Sequence, residues 1–186
     1  MDLPQMKREK DIKAWAEEIR IFRGVVEEMT GNQVTAESLH NAIVLINNKR
    51  RALSRLYDLR KNEKLPISGK DALLISQIAF YDDPTRFTKA DACLTGTPLA
   101  IPNWKLHNLV ETSGGAVVCE EMCTGTRYFE RLVDEAEGTV DEQIDHLAER
   151  YMGINCACFT PNSARIGDII RLAKEYKVDG IIDVNL

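Results

Sequence analysis

The hydrophobic periodicity changes partway along the chain, between Asp82 and Cys93, and this change does most to limit the folds open to it. Before the change, apolar residues recur in steps of three and four. Ile12, Trp15, Ile19, Phe22, Val26 and Met29 share one face of a helix, and Thr30-Gly31-Asn32 supplies its stop. Thr35 is placed to N-cap a second helix with a stripe through Leu39, Ile43, Ile46, Leu53, Leu56 and Leu59, and Arg60-Lys61 suits the negative end of its dipole. Ser68-Gly69-Lys70-Asp71 fits the capping box of a third helix through Leu73, Leu74, Ile78 and Phe80, ended by Asp82-Asp83-Pro84.

After the change, short apolar runs alternate with helical periods, the pattern of an α/β domain. Strands are expected at residues 92–94, 116–119, 154–158 and 181–186, and helices at residues 104–110, 127–133, 142–151 and 163–176. The last run ends the chain inside an apparent strand. Since a parallel strand needs neighbours and a crossover, truncation is expected there.

The 186 residues fit one domain or two small ones, at about 150 per domain. With 44% hydrophobic and 28% charged residues, disorder, collagen-like repeats and a coiled-coil rod are excluded as whole-chain descriptions. A formal charge of -5 argues against whole-protein attraction to nucleic acid. The basic cluster Lys49-Arg50-Arg51-Arg55 is read as a solvated or ion-paired helix face. No apolar run approaches the ~18 residues of a membrane span, and the start lacks the apolar core of a secretion signal, so a cytoplasmic protein without membrane contact is expected. Five cysteines, an odd number, argue against a disulfide framework and toward free thiols, metal ligation or catalysis.

Several residues could carry chemistry. Thr95-Gly96-Thr97-Pro98 follows an expected strand, where open parallel sheets place ligand loops; Gly96 permits close backbone approach and the threonines offer hydroxyls. The same residues also suit a plain turn that caps the next helix. Cys119 falls at a strand end and is expected half-buried, whereas Cys123 enters the following loop and is the better ligand. Cys156 and Cys158 share one side of a strand if extended geometry holds. Thiolates suit zinc or iron-sulfur clusters, and scattered ligands from successive strand ends suit a cluster better than a zinc ribbon. Buried cysteines acting as small hydrophobes remain the alternative. His40, His107 and His146 fall on expected helix surfaces with no nucleophile beside them and are read as structural. No lysine or glycine-rich pattern completes a phosphate cradle around Thr95-Gly96-Thr97, so a phosphate-binding module has little support.

Four blocks in order carry a resemblance: Leu94-Thr95-Gly96-Thr97-Pro98; Glu120-Glu121-Met122-Cys123-Thr124-Gly125-Thr126-Arg127-Tyr128-Phe129; Asn155-Cys156-Ala157-Cys158-Phe159-Thr160-Pro161-Asn162; and Lys174-Glu175-Tyr176-Lys177-Val178-Asp179-Gly180-Ile181-Ile182. Together with the helical leader, they make nearly the whole chain resemble the D-component family of 2-hydroxyacyl-CoA dehydratases, related to benzoyl-CoA reductases and double-cubane cluster proteins. The expected fold is α/β: a helical segment at residues 1–88, then a partial Rossmann-like or flavodoxin-like parallel-sheet domain at residues 89–186 that binds the cluster.

The resemblance implies an iron-sulfur cluster, 4Fe-4S or double-cubane, held by cysteines and fed electrons by an ATP-dependent activator protein. It implies radical dehydration of a 2-hydroxyacyl-CoA thioester, in which a ketyl radical at the thioester carbonyl expels hydroxide from C2. Carried onto this sequence, Cys123 and Cys156 match ligand positions, with Cys158 the fallback for Cys156, and Thr95, Gly96, Thr97 and Pro98 lie near the substrate. A homo- or hetero-dimer is implied for the intact protein. Three departures, no cysteine after the last run, no preceding α/β domain and an abrupt join of helix to strand through Phe87-Thr88-Lys89-Ala90-Asp91-Ala92-Cys93, give the chain the look of a fragment with an internal shortening. The other readings are a double-cubane reductase of small molecules and a cluster-free α/β interaction domain.

Overall fold

The computed structural model describes residues 1–85, 104–156 and 158–183. Among them the regular elements are all helical: α1 (Glu9–Thr30), α2 (Ala36–Asp58) running into a 3-10 turn (Leu59–Lys61), α3 (Gly69–Ile78), α4 (Trp104–Thr112), the short α5 (Thr126–Phe129), α6 (Val140–Met152) and α7 (Ser163–Glu175). Several helix ends follow local chemistry. Gly31 closes α1 in the left-handed conformation at φ 69°. Thr35 accepts from the Ser38 amide at 3.1 Å, and Ser68 accepts from the Asp71 amide at 3.0 Å. Thr139 and Glu142 form a reciprocal capping box at the start of α6.

The expected α/β fold with a Rossmann-like or flavodoxin-like parallel sheet is corrected, because no strand occurs among the described residues. A strand needs a neighbour to complete its ladder of amides and carbonyls. At Ala116-Val117-Val118-Cys119 that role passes to side chains: the Arg60 guanidinium donates to the Val117 carbonyl, while Val118 and Cys119 pack onto a helical core. Cys156 and Cys158 lie in a turn rather than along one strand face, with the Phe159 amide donating to the Cys156 carbonyl. Ile181 and Ile182 are exposed. A short apolar run looks the same in sequence whether it pairs as a strand or packs by its side chains alone. The strand expected at residues 92–94 lies outside the described residues.

Contacts divide the chain into two compact units, one from Met1–Asn48 and Arg131–Arg165, the other from Lys49–Glu130 and Ile166–Leu186. In the first, α1 packs on α6 around Ala16, Ile144 and Ala148, with Ile12, Trp15, Ile19, Leu39 and Val140 at the margins. Alanines on both helices let the backbones approach closely. Arg20 flanks this contact, reaching Asp141 at 3.2 Å and Asp145 at 2.6 Å. The α1 stripe faces outward beyond Ile19: Phe22 is 51% and Met29 81% exposed.

In the second unit, Ala52, Leu53, Tyr57, Ile75, Ala79, Phe129, Leu172 and Tyr176 form the core. Of the basic cluster on α2, Lys49 and Arg50 are buried rather than solvated, while Arg51 is half-buried and Arg55 exposed. Lys49 donates to the Ala79 carbonyl at 2.7 Å, and the Arg50 guanidinium lies over the Tyr128 ring at 5.6 Å. Arg60, expected at the negative end of the helix dipole, is buried as well.

Asn47 shows how the first unit holds an irregular segment without a sheet. Its side-chain amide donates to the Val133 carbonyl at 2.7 Å and accepts from the Val133 amide at 3.1 Å, imitating a strand partner. Asn47→Leu strands both groups of Val133 in a buried place, and urea unfolding is expected to show a loss of roughly 2–4 kcal/mol.

Candidate functional site

The block Glu120-Glu121-Met122-Cys123-Thr124-Gly125-Thr126-Arg127 is a tight loop in the second unit, closed at both ends. The Glu120 carbonyl accepts from the Thr126 amide at 3.0 Å and from the Thr126 hydroxyl at 3.2 Å. Arg127 forks onto the Glu121 carboxylate, with the Nη2 contact at 2.6 Å. A Cβ at Gly125 would stand 2.2 Å from the Glu120 carbonyl oxygen, so only glycine fits there. Cys123 sits at the exposed tip.

Beneath the loop lies a polar cluster that the sequence pattern left unassigned. Glu120 is 4% exposed, and three side chains converge on its carboxylate. From α2, the Tyr57 hydroxyl donates at 2.6 Å; from the 3-10 turn, Arg60 Nη1 donates at 3.2 Å; from α4, His107 Nε2 lies at 2.9 Å. With the carboxylate accepting, His107 Nε2 is the nitrogen that carries the hydrogen. Ser76 on α3 donates to the Tyr57 oxygen at 3.4 Å. His107, expected on a helix surface, is therefore an interior residue, and Leu109 of the expected α4 stripe is 64% exposed instead.

Burial alone would raise the Glu120 carboxyl, but the His107 hydrogen bond, the Arg60 charge and the Tyr57 hydrogen bond outweigh it and hold the group below its ordinary range. Burial, with the Glu120 charge second, pushes the Tyr57 phenol well above its ordinary value. Burial also sets Cys119 apart from Cys123. Reinforced by the Glu120 charge, it drives the Cys119 thiol up to about 12, which keeps it protonated at neutral pH.

The second candidate loop belongs to the first unit. Cys156 is partly buried and Cys158 exposed, and burial followed by a hydrogen bond with Cys156 raises the Cys158 thiol. The N-terminal segment braces this loop. The Gln5 carbonyl accepts from the Thr160 amide at 2.8 Å, and Lys7 donates to the Ile154 carbonyl and to Asn155 Oδ1. The Lys7 ammonium also lies 4.7 Å from the centre of the Phe159 ring, and Asn162 Nδ2 donates to the Cys156 carbonyl at 2.9 Å. Thr95, Gly96, Thr97 and Pro98, together with Cys93, lie outside the described residues. Among the described residues, no three His, Cys, Asp or Glu side chains gather as a metal site. No helix among them is long and apolar enough to cross a membrane.

The depressed Glu120 carboxyl stabilises the fold above the ordinary carboxylate range, and that contribution is lost as pH falls through its folded-state value. Acid unfolding of the native chain is expected to show this slope and Glu120→Gln to lack it. At neutral pH the variant is expected to be weaker by about 3–5 kcal/mol, because Arg60 is left buried without its charged partner. Iodoacetamide mapping of the folded chain is expected to modify Cys123 and Cys158 and to reach Cys119 only after unfolding.

Comparison with known proteins accounts for both loops appearing in one chain. The family model described as 2-hydroxyglutaryl-CoA dehydratase, D-component, matches residues 1–186. YjiM, a provisionally named dehydratase subunit of Escherichia coli (strain K12), is 30% identical over 210 residues, covering 100% of this chain and 54% of that protein. The (R)-phenyllactyl-CoA dehydratase beta subunit of Clostridium sporogenes is 24% identical over 175 residues, covering 84% of this chain and 46% of that subunit. The chain thus spans about half the length of these curated relatives. It belongs to the 2-hydroxyglutaryl-CoA dehydratase D-component family.

Proposed function

We propose that the chain is the iron-sulfur domain of a 2-hydroxyacyl-CoA dehydratase-like protein, with Cys123 and Cys156 as cluster ligands. The observation that carries this reading is the match of the whole chain to the D-component family, with Cys123 held at the exposed tip of a tightly closed loop. The donor chemistry fits: Cys123, Cys156 and Cys158 put three thiols, the soft ligands that iron takes, in two braced turns, whereas burial pushes the half-buried Cys119 thiol up and disfavours its thiolate.

When bound, the cluster supplies a low-potential electron and an open iron site that acts as a Lewis acid. The chain's own residues present the sulfurs. Glu120, Gly125 and Arg127 hold the Cys123 loop, while Lys7 and Asn162 hold the Cys156 turn and place a positive charge near it. Thr95, Gly96, Thr97 and Pro98 are proposed to line the acyl-CoA thioester site. Electrons come from an ATP-dependent activator protein, and partner subunits complete the enzyme, as the word subunit in both relatives' names suggests. The contact of Cys158 with Cys156 favours a second reading, a double-cubane reductase of small molecules, because it puts two sulfurs on one turn.

Anaerobic reconstitution with iron and sulfide tests the assignment through the visible absorbance and the iron bound per chain. The native chain and Cys119→Ala are expected to gain a cluster spectrum, and Cys123→Ser and Cys156→Ser to lose most of it. Full spectra in both serine variants would remove the ligand assignment, and no cluster spectrum in the native chain would return it to the cluster-free reading.

A further inference from the structure

We infer that Glu120 is a positioning residue for Cys123, fixing where that thiol is presented through the loop that joins them. The purpose assigned to this positioning rests on Cys123 being a ligand, but the positioning itself stands on the geometry around residue 120.

A single residue holds the loop in two ways. Its side chain is locked beneath the loop by Tyr57, Arg60 and His107, which come from α2, the 3-10 turn and α4. Its main-chain carbonyl closes the loop by accepting from the Thr126 amide and hydroxyl, and the same oxygen is what Gly125 packs against without room for a Cβ. Cys123 is midway between Glu120 and Thr126, with the Gly125 amide bonded back to the Met122 carbonyl at 3.0 Å. Moving Glu120 therefore moves both ends of the segment that carries the thiol.

The chemistry of the anchor supports the same conclusion. A buried ion pair often adds no more stability than an apolar replacement of similar shape, but its hydrogen bonds are directional and define one arrangement. A metal ligand benefits from that definition, since a sulfur already in place loses little freedom when the metal arrives. Tyr57 is oriented by the core of the second unit, where its ring packs against Phe129 at 4.5 Å between centroids, and the Arg60 guanidinium lies over the same Tyr57 ring, 4.8 Å from its centre. The placement of Cys123 is thereby referred to the buried core of its unit.

Hydrogen exchange read by mass spectrometry on the iron-free chain tests this with Glu120→Gln and Tyr57→Phe. Both variants are expected to lose about tenfold or more of the amide protection across residues 120–128, the scale of one buried charge-assisted hydrogen bond, while α6 keeps its protection. A nitroxide on Cys123, with the other exposed thiols changed to serine, is expected to become more mobile in both variants; a nitroxide on Cys158 in the reciprocal background is expected to stay unchanged. If Glu120→Gln does not fold, Tyr57→Phe decides alone. Unchanged loop protection and an unchanged Cys123 spectrum overturn the inference. So does equal loosening of the loop and α6, which would reduce Glu120 to a general stabiliser. None of these readouts contains iron. A loosened loop together with a full cluster in Cys123→Ser keeps the positioning role and discards the ligand.

Discussion

A carboxylate taken out of water survives inside a protein only when its lost hydration is replaced, and in the second unit Glu120 obtains that replacement from a phenol, a guanidinium and an imidazole. Two donors lie three residues apart where α2 runs into the 3-10 turn and the third lies on α4, so satisfying this one group draws that helix end and α4 to a common point. The loop that carries Cys123 inherits its position from that convergence. The extended segment before it does as well, since Arg60 serves both the Glu120 carboxylate and the Val117 carbonyl.

The two cysteine-bearing turns share a principle but differ in means. Around Cys123 the brace comes from within: a carboxylate turned inward, a glycine with no room for a side chain, and an arginine forked onto the neighbouring glutamate. Around Cys156 the brace comes from a distant stretch of chain, with Gln5 and Lys7 reaching the turn ahead of α1. Both turns leave a sulfur accessible while the backbone beneath is held. Cys119, which enters the same loop that Cys123 tops, differs from it chiefly in burial, and burial is what keeps its thiol from ionising.

Much of the helical architecture was legible in the sequence because capping and periodicity are local. Thr35, Ser68 and the Gly31 stop act where their residue types predict. The buried face of α2 and the turn that follows it was not legible, for a specific reason. Ile43, Asn47, Arg50, Leu53, Tyr57 and Arg60 follow one another in steps of three and four, and all six are buried. Periodicity marks that face correctly, but three of its members are polar or charged. A reading weighted by hydrophobicity shifts the stripe toward Leu56 and the exposed Leu59. The same substitution of chemistry misplaced His107 on α4. The expected sheet failed for a related reason: whether an apolar tetrapeptide pairs as a strand depends on neighbours that its own residues do not specify. The candidate ligand cysteines were found through their setting in the sequence blocks; the groups that hold them in place carry no such local signature.

The hold that Gln5 and Lys7 exert on the Cys156 turn bears on how this polypeptide can be handled. A helix map places the first regular element at Glu9, and trimming everything ahead of it looks harmless. Such a shortened version would keep every helix and every cysteine, yet leave the Thr160 amide and Asn155 without their clasp, so that a preparation judged intact by circular dichroism could still have lost its grip on one sulfur-bearing corner.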